Sequence, residues 1–217
     1  MPVPTFPNQS LTPLPLTPGE QEAFNYAYDS VKCQLALIPP HLYYHSIEHT
    51  FNWVLPWCDF LAEKEQIDTH HRFLLRLAAL YHDTGYLDCY NDNEIFGANR
   101  CISELKQFDC FSPHDLEILH SLIMITSLST NPLETTDSRL QQLQFIIRDA
   151  DVAQLASESF HVLSDRLRRE VSHVLGREIS PEAWTASNNV FLNKHQWFST
   201  TAKKEWTELK RLYCGCL

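Results

Sequence analysis

Long apolar runs are missing from this chain. No stretch approaches the roughly 20 residues a helix needs to cross a bilayer, so no membrane span is expected. A basic face is missing as well: Asp and Glu number 27 against 17 Lys and Arg, a formal net charge of −10. That balance argues against a non-specific grip on nucleic acid, which needs clustered cations. It leaves small anionic substrates open, because a bound divalent cation resets the field within its own pocket. No N-terminal stretch joins a basic flank to an apolar segment, so no secretory signal is expected. The seven cysteines are scattered and odd in number, which suits reduced thiols rather than a disulfide framework. The tail "YCGCL", with Cys214 and Cys216, has no partner cluster and reads as incidental. A soluble, cytoplasmic protein is the expectation. Glycine is scarce, with five in 217 residues, and neither period-two alternation nor an internal repeat is found, so β-strands are not expected.

What is present is helical pattern in quantity. Residues 1–19 are proline-rich and read as an extended arm lying against the domain. Residues 20–217 read as one domain, a length ample for a buried core. Thr17-Pro18-Gly19-Glu20 opens a helix that runs to about Leu37, ahead of Pro39-Pro40. Ser46 can cap the next, which carries Ile47, Phe51, Val54, Leu55, Cys58 and Leu61, with a kink or break predicted at Pro56. Asp68-Thr69 opens a third, with Phe73, Leu74, Leu77, Ala78 and Tyr81 inward and Gly85 as its stop. Further helices are predicted near 92–107, 113–127 (capped by Ser112), 138–155, 157–175, 181–194 and 200–213. The fold class is all-α.

Three places in this pattern carry chemistry. In "YHSIEHT", His45 and His49 stand four residues apart. They share a helix face if the helix starts by His45, whereas a start at Ser46 leaves His45 just ahead of it. Either way, one can ligate an ion while the other points at the ligand on it. In "AALYHDTGY", His82-Asp83 ends an apolar helix, where a carboxylate needs a cation or donors to offset its desolvation. In "FIIRDADVAQL", Asp149 and Asp151 sit on a strongly apolar segment. Taken singly, each has an ordinary reading as a surface, capping or hydrogen-bonded residue. Imidazole with carboxylate suits first-row divalent ions in a site that leaves positions open for water.

The ordered set His, His-Asp, distant Asp resembles the signature of the HD-domain superfamily of metal-dependent phosphohydrolases. The resemblance covers about residues 40–175 and includes "YHSIEHT", "AALYHDTGY", "NDNEIFGA", "DADVAQL" and "LRREV". The later "FLNKHQWFSTTAKKEW" is similar to the C-terminal helices of bacterial members. The resemblance implies an HD-domain-like helical bundle with additional C-terminal helices. It implies His49, His82, Asp83 and Asp151 as metal ligands, with Asp149 as a second-sphere or alternative ligand. It further implies His45 as the general acid at the leaving group, Glu94 beside the metal-bound water, and Asp151 or Glu94 orienting that water. Arg168 is implied as a phosphate anchor, with a surface charge or a salt bridge to Glu170 as the competing role. The sequence departs from the family pattern at Asn93, where many relatives have His, and at His120, which has no His neighbour. One divalent ion (Mn, Fe, Mg, Zn, Co or Ni) is therefore expected rather than two.

The activity so implied is hydrolysis of a small phosphate ester, a nucleotide for preference, by attack of a metal-bound water. The alternative is a degenerate domain that binds a nucleotide or a protein partner without hydrolysing it. A third possibility, oxygen chemistry at paired irons, requires further His ligands. Specificity is expected from the "TGYLDCYNDN" loop and the loop at 128–139.

Overall fold

Thr17 starts the first helix by reciprocal capping: its hydroxyl accepts the Glu20 N–H, and the Glu20 carboxylate accepts the Thr17 N–H at 2.8 Å. Pro18 takes the first helical position, where its missing N–H leaves nothing unsatisfied. The computed structural model describes residues 11–128 and 136–215 of the chain. Over these residues the helices are α1 (Pro18–Leu35), α2 (Leu55–Lys64), α3 (Thr69–Tyr81), α4 (Asn93–Leu105) and α5 (Pro113–Met124). They are followed by α6 (Ser138–Asp151), α7 (Phe160–Val174), α8 (Pro181–Lys194), α9 (Thr200–Glu205) and α10 (Thr207–Cys214). Among the described residues there is no strand, and the protein is an all-α bundle.

The centre of the bundle is α3. Asp68 caps it by accepting the His71 N–H at 3.1 Å. The expected inward residues Phe73, Leu74, Leu77, Ala78 and Tyr81 are all fully buried. Leu75, Ala79 and Leu80 are buried too, and with Arg76 only 4% exposed the second half of α3 is buried on every side. A helix of that kind has to be wrapped, and α1, α2, α4, α5 and α6 pack around it. His82 and Asp83 follow directly at its end, deep in the molecule.

Pro56 does not cut its helix in two: the backbone stays helical through Val54 and Leu55, and the irregularity is a change of coil. The chain enters at Ile47 as an α-turn, widens to a π-helical coil over His49–Val54, and resumes as α2 with Pro56 in its first turn. The wide coil gives the proline ring room beside the carbonyl it would otherwise crowd.

Gly85 plays a different part from the expected helix stop. The α3 helix closes at His82, and Gly85 lies in a 3-10 turn (Thr84–Leu87) without a left-handed backbone. Its role is close approach: a Cβ at Gly85 would stand 1.8 Å from the Asn93 carbonyl oxygen and 2.9 Å from the Gly97 amide. Gly97 returns the contact, since a Cβ there would meet the Tyr81 carbonyl oxygen at 2.9 Å. The His82-Asp83 segment is thus seated backbone-to-backbone on α4.

The C-terminal helices form a layer over α2 and the turn Ala153–Ala156. The helix expected over 200–213 is two, divided at Trp206. The Trp206 indole is 1% exposed, edge-on to Trp57 at 5.0 Å and to Trp197 at 5.2 Å. Seating that ring reorients the chain, although no Gly or Pro marks the spot. The described part of the proline-rich arm lies on the bundle: Thr12 N–H donates to Asp59 at 2.8 Å, Arg76 donates to the Thr12 carbonyl, and Leu11 and Leu16 pack on the core. Residues 1–10 of the arm, 129–135 of the loop at 128–139, and Cys216 lie outside the described residues. No helix is long and apolar enough to cross a membrane among the described residues.

Candidate metal centre

Three segments deliver four donor side chains to one place. Ser46 accepts the His49 N–H at 3.4 Å, so the helical coil begins after His45 and His45 stands ahead of it. The two histidines therefore do not stack on one face; their rings are 6.0 Å apart at 84°. The His49 side chain, 6% exposed, turns inward from the first residue of the π-helical coil, a geometry often found at functional sites. His82, 1% exposed, donates its Nδ1–H to the Ala79 carbonyl at 2.8 Å, which leaves the Nε2 lone pair to act as a ligand. Asp83 follows it, and Asp151 arrives from the last residue of α6.

Asp83 Oδ2 is 3.6 Å from His49 Nε2 and 3.2 Å from His82 Nε2. Asp151 Oδ1 is 3.1 Å from His49 Nε2 and 3.5 Å from His82 Nε2. Ligands held about 2.1 Å from an ion at cis-octahedral or tetrahedral angles are themselves about 3.0–3.4 Å apart, so these four edges match a coordination sphere. His49, His82 and Asp83 form a His-His-Asp cluster that could hold a metal ion. His82 Nε2 and Asp83 Oδ2 have no hydrogen-bond partner among the described residues despite full burial, and such atoms call for an explanation. The electrostatics agree. Burial opposes charge on His82, yet Asp83 and Asp151 raise its pKa well above the ordinary imidazole value. Burial likewise works against both carboxylates, but His82, His45 and His49 lower Asp83, and His49 and His82 hold Asp151 well below the usual range. The cluster favours positive charge at its centre.

A cavity of about 480 Å³ opens beside Asp83 and Asp151. His45 lines it, 15% exposed in its side chain. Its Nδ1 faces Glu170 in a short charge-assisted contact, and its Nε2 is 3.0 Å from the Tyr86 hydroxyl. Glu170 is fully buried and also accepts the Tyr44 N–H at 2.9 Å, the His45 N–H at 3.2 Å and the Tyr90 hydroxyl at 3.2 Å. Burial would lower the His45 pKa, but the charges of Asp83 and Glu170 and the hydrogen bond to Glu170 leave it raised. Glu170, Tyr86 and Tyr90 were not singled out from the sequence as site residues. For Glu170 a signal existed. Phe160, Leu163, Leu167 and Glu170 follow three- and four-residue spacing along α7, which places a carboxylate on the inward stripe. Tyr86 and Tyr90 belong to the "TGYLDCYNDN" loop, whose residues do line the cavity.

Two sequence expectations take a different form. Asp149 is not among the converging ligands: its carboxylate accepts the N–H groups of Phe198 at 3.0 Å and Ser199 at 2.7 Å, ahead of α9. Burial pushes its pKa up to about 6 against the pull of those donors. It ties the C-terminal layer to α6. Arg168 does not reach the cavity and does not pair with Glu170; its guanidinium holds Asp165 at 2.8 Å and the Ile179 carbonyl at 2.7 Å. One helical step away, Leu167 occupies the cavity wall instead. Glu94 lines the cavity, half-buried, and the structure gives no contact between it and the ligand cluster. Asn93 lines it too, with Oδ1 unpartnered among the described residues. Compared with known proteins, the chain matches no family model, no curated protein and no solved structure.

Proposed function

We propose that this protein is a metal-dependent phosphohydrolase of the HD-domain type, acting in the cytoplasm on a small phosphate ester and, for preference, a nucleotide. The observation that carries the reading is the set of four His–Asp edges, 3.1 to 3.6 Å long, at the floor of a cavity that also presents His45. His49, His82, Asp83 and Asp151 would hold one divalent ion. Such an ion, when bound, acidifies a water ligand and offsets charge on a phosphoryl oxygen.

The chain's own groups account for the rest. Glu170 keeps the proton of His45 on Nδ1 and stabilises the imidazolium, so Nε2 carries the proton that is given to the leaving oxygen. Tyr86, against that same Nε2, orients the ring edge toward the cavity. Glu94 supplies a carboxylate at the cavity wall that would be available to accept a proton from the attacking water, while Asp151 would hold the ion together with His49, His82 and Asp83.

The test is a panel of nucleotides and simple phosphomonoesters assayed with Mn²⁺, Mg²⁺, Co²⁺ and Ni²⁺, beside elemental analysis of the same sample. Turnover that is lost on chelation and lost in His82→Ala is expected. Metal bound at one equivalent with no turnover of any phosphate ester would overturn the proposal.

A further inference from the structure

The cavity has a charge balance that selects among phosphate esters. Four carboxylates line it, Asp83, Asp92, Glu94 and Asp151, against a single imidazole, His45. Among the described residues no Lys or Arg lines it. All 17 Lys and Arg lie within the described residues, so the remaining segments hold no cationic side chain to add. Protein sites that take di- or triphosphates normally meet the extra phosphates with Arg forks, Lys charges or glycine-rich amide cradles. Here a divalent ion would offset two of the four carboxylates and leave the wall net acidic.

The rest of the lining is suited to a flat, uncharged body. Tyr86 and Tyr90 stand 5.4 Å apart by ring centroid, and Tyr86 lies 4.2 Å from the His45 ring. Phe160 and Phe191 line the cavity with them, and Gln154 and Asn188 contribute amides able to read donor and acceptor edges. A cavity of about 480 Å³ is within the range that encloses small organic ligands.

From these observations we infer that the substrate carries one phosphate group on an aromatic, otherwise uncharged body, as a nucleoside monophosphate does, and that Asp92 helps to reject longer phosphate chains. The inference rests on the phosphohydrolase reading and narrows it. Asp92 precedes α4 in a left-handed conformation, φ 56°, exposed and with no capping hydrogen bond from its side chain. Its carboxylate is therefore free to act through its charge, and asparagine can replace it without backbone strain.

The experiment uses Mn²⁺-loaded full-length protein, with free Mn²⁺ held constant, against the mono-, di- and triphosphates of adenosine, guanosine, cytidine and uridine. Both kcat/KM and the calorimetric Kd are measured. The monophosphate of at least one base is expected to be preferred, with a loss of about tenfold or more for each added phosphate, the usual scale of like-charge rejection. Asp92→Asn is expected to narrow that gap while leaving the monophosphate within about threefold of wild type. Equal or reversed preference for triphosphates, no binding of any monophosphate, or a gap untouched by Asp92→Asn overturns the inference. The monophosphate order in Kd with no turnover sinks the hydrolase reading and leaves only the cavity's preference for one-phosphate ligands; turnover that favours triphosphates keeps the hydrolase reading and sinks this inference.

Discussion

His82 Nε2 and Asp83 Oδ2 lie 3.2 Å apart, both buried, yet neither hydrogen-bonds the other or any other described group. A proton on His82 offsets part of the cost of burying two such atoms, and a divalent cation at their common centre satisfies both at once. Divalent ion binding should therefore stabilise the fold. At a hundredfold excess over Kd, the linkage gain is about 2.7 kcal/mol. For a chain of this size that corresponds to a rise in Tm of about 5–10 °C. Melting curves of chelated and Mn²⁺-saturated protein test this, and His82→Ala should abolish the difference. Identical curves, with no ion found by elemental analysis, would remove the metal centre.

Glu170 and His45 supply the second prediction. His45→Asn should lower kcat by about 10²–10⁴, the usual worth of a general acid, with metal content unchanged. Glu170→Gln removes one of the charges that raise the His45 pKa. The acid form of His45 should then be lost at lower pH, so the alkaline limb of the kcat profile moves down in pH. A fall in kcat with that limb unmoved would mean that Glu170 only supports the Tyr44-His45 backbone.

How far the sequence discloses this protein depends on the range of the forces involved. Caps are local, and Thr17, Asp68 and Ser112 each bond a backbone N–H three residues on, so those helix starts are legible. The buried residues of α3 are legible because apolar spacing reflects one neighbourhood. The division at Trp206 is not, since it depends on indoles at 57 and 197. The four converging donor residues can be named from motif order, whereas their convergence depends on α3, α6 and the π-helical coil packing together. Arg168 shows the limit most clearly. A residue type suited to phosphate says nothing of where its helix points it, and one step of rotation gives the cavity to Leu167 and the arginine to Asp165.

Gly85→Ala isolates the contact that seats His82 and Asp83. The added methyl would lie 1.8 Å from the Asn93 carbonyl oxygen, and the obstacle is backbone rather than a movable side-chain end. The cost should be about 3 kcal/mol or more, at the severe end of overpacking. Because the displaced turn follows Asp83, metal affinity should fall with stability. Urea unfolding with and without Mn²⁺ measures both; a midpoint within error of wild type would show that the two glycines are not held in contact.

The last prediction concerns acid sensitivity and His195. Burial, with Lys210 and Arg148 nearby, lowers its pKa from 6.5 to about 3. Lys210 Nζ also donates to the Leu192 and His195 carbonyls at 2.6 and 2.8 Å, which holds the cation in place beside the ring. The folded state refuses a proton that the unfolded chain accepts. Stability is therefore complete above the unfolded value of 6.5 and is lost as pH falls toward the folded value. The slope is about 1.4 kcal/mol per pH unit, or about 2 kcal/mol between pH 6.5 and 5. His195→Gln cannot titrate, so its unfolding free energy should decline less steeply by that amount over the same interval. Chelated protein is used for both, which removes the pH dependence of metal binding from the comparison. Parallel pH profiles for variant and wild type would show that His195 takes up its proton in the folded state.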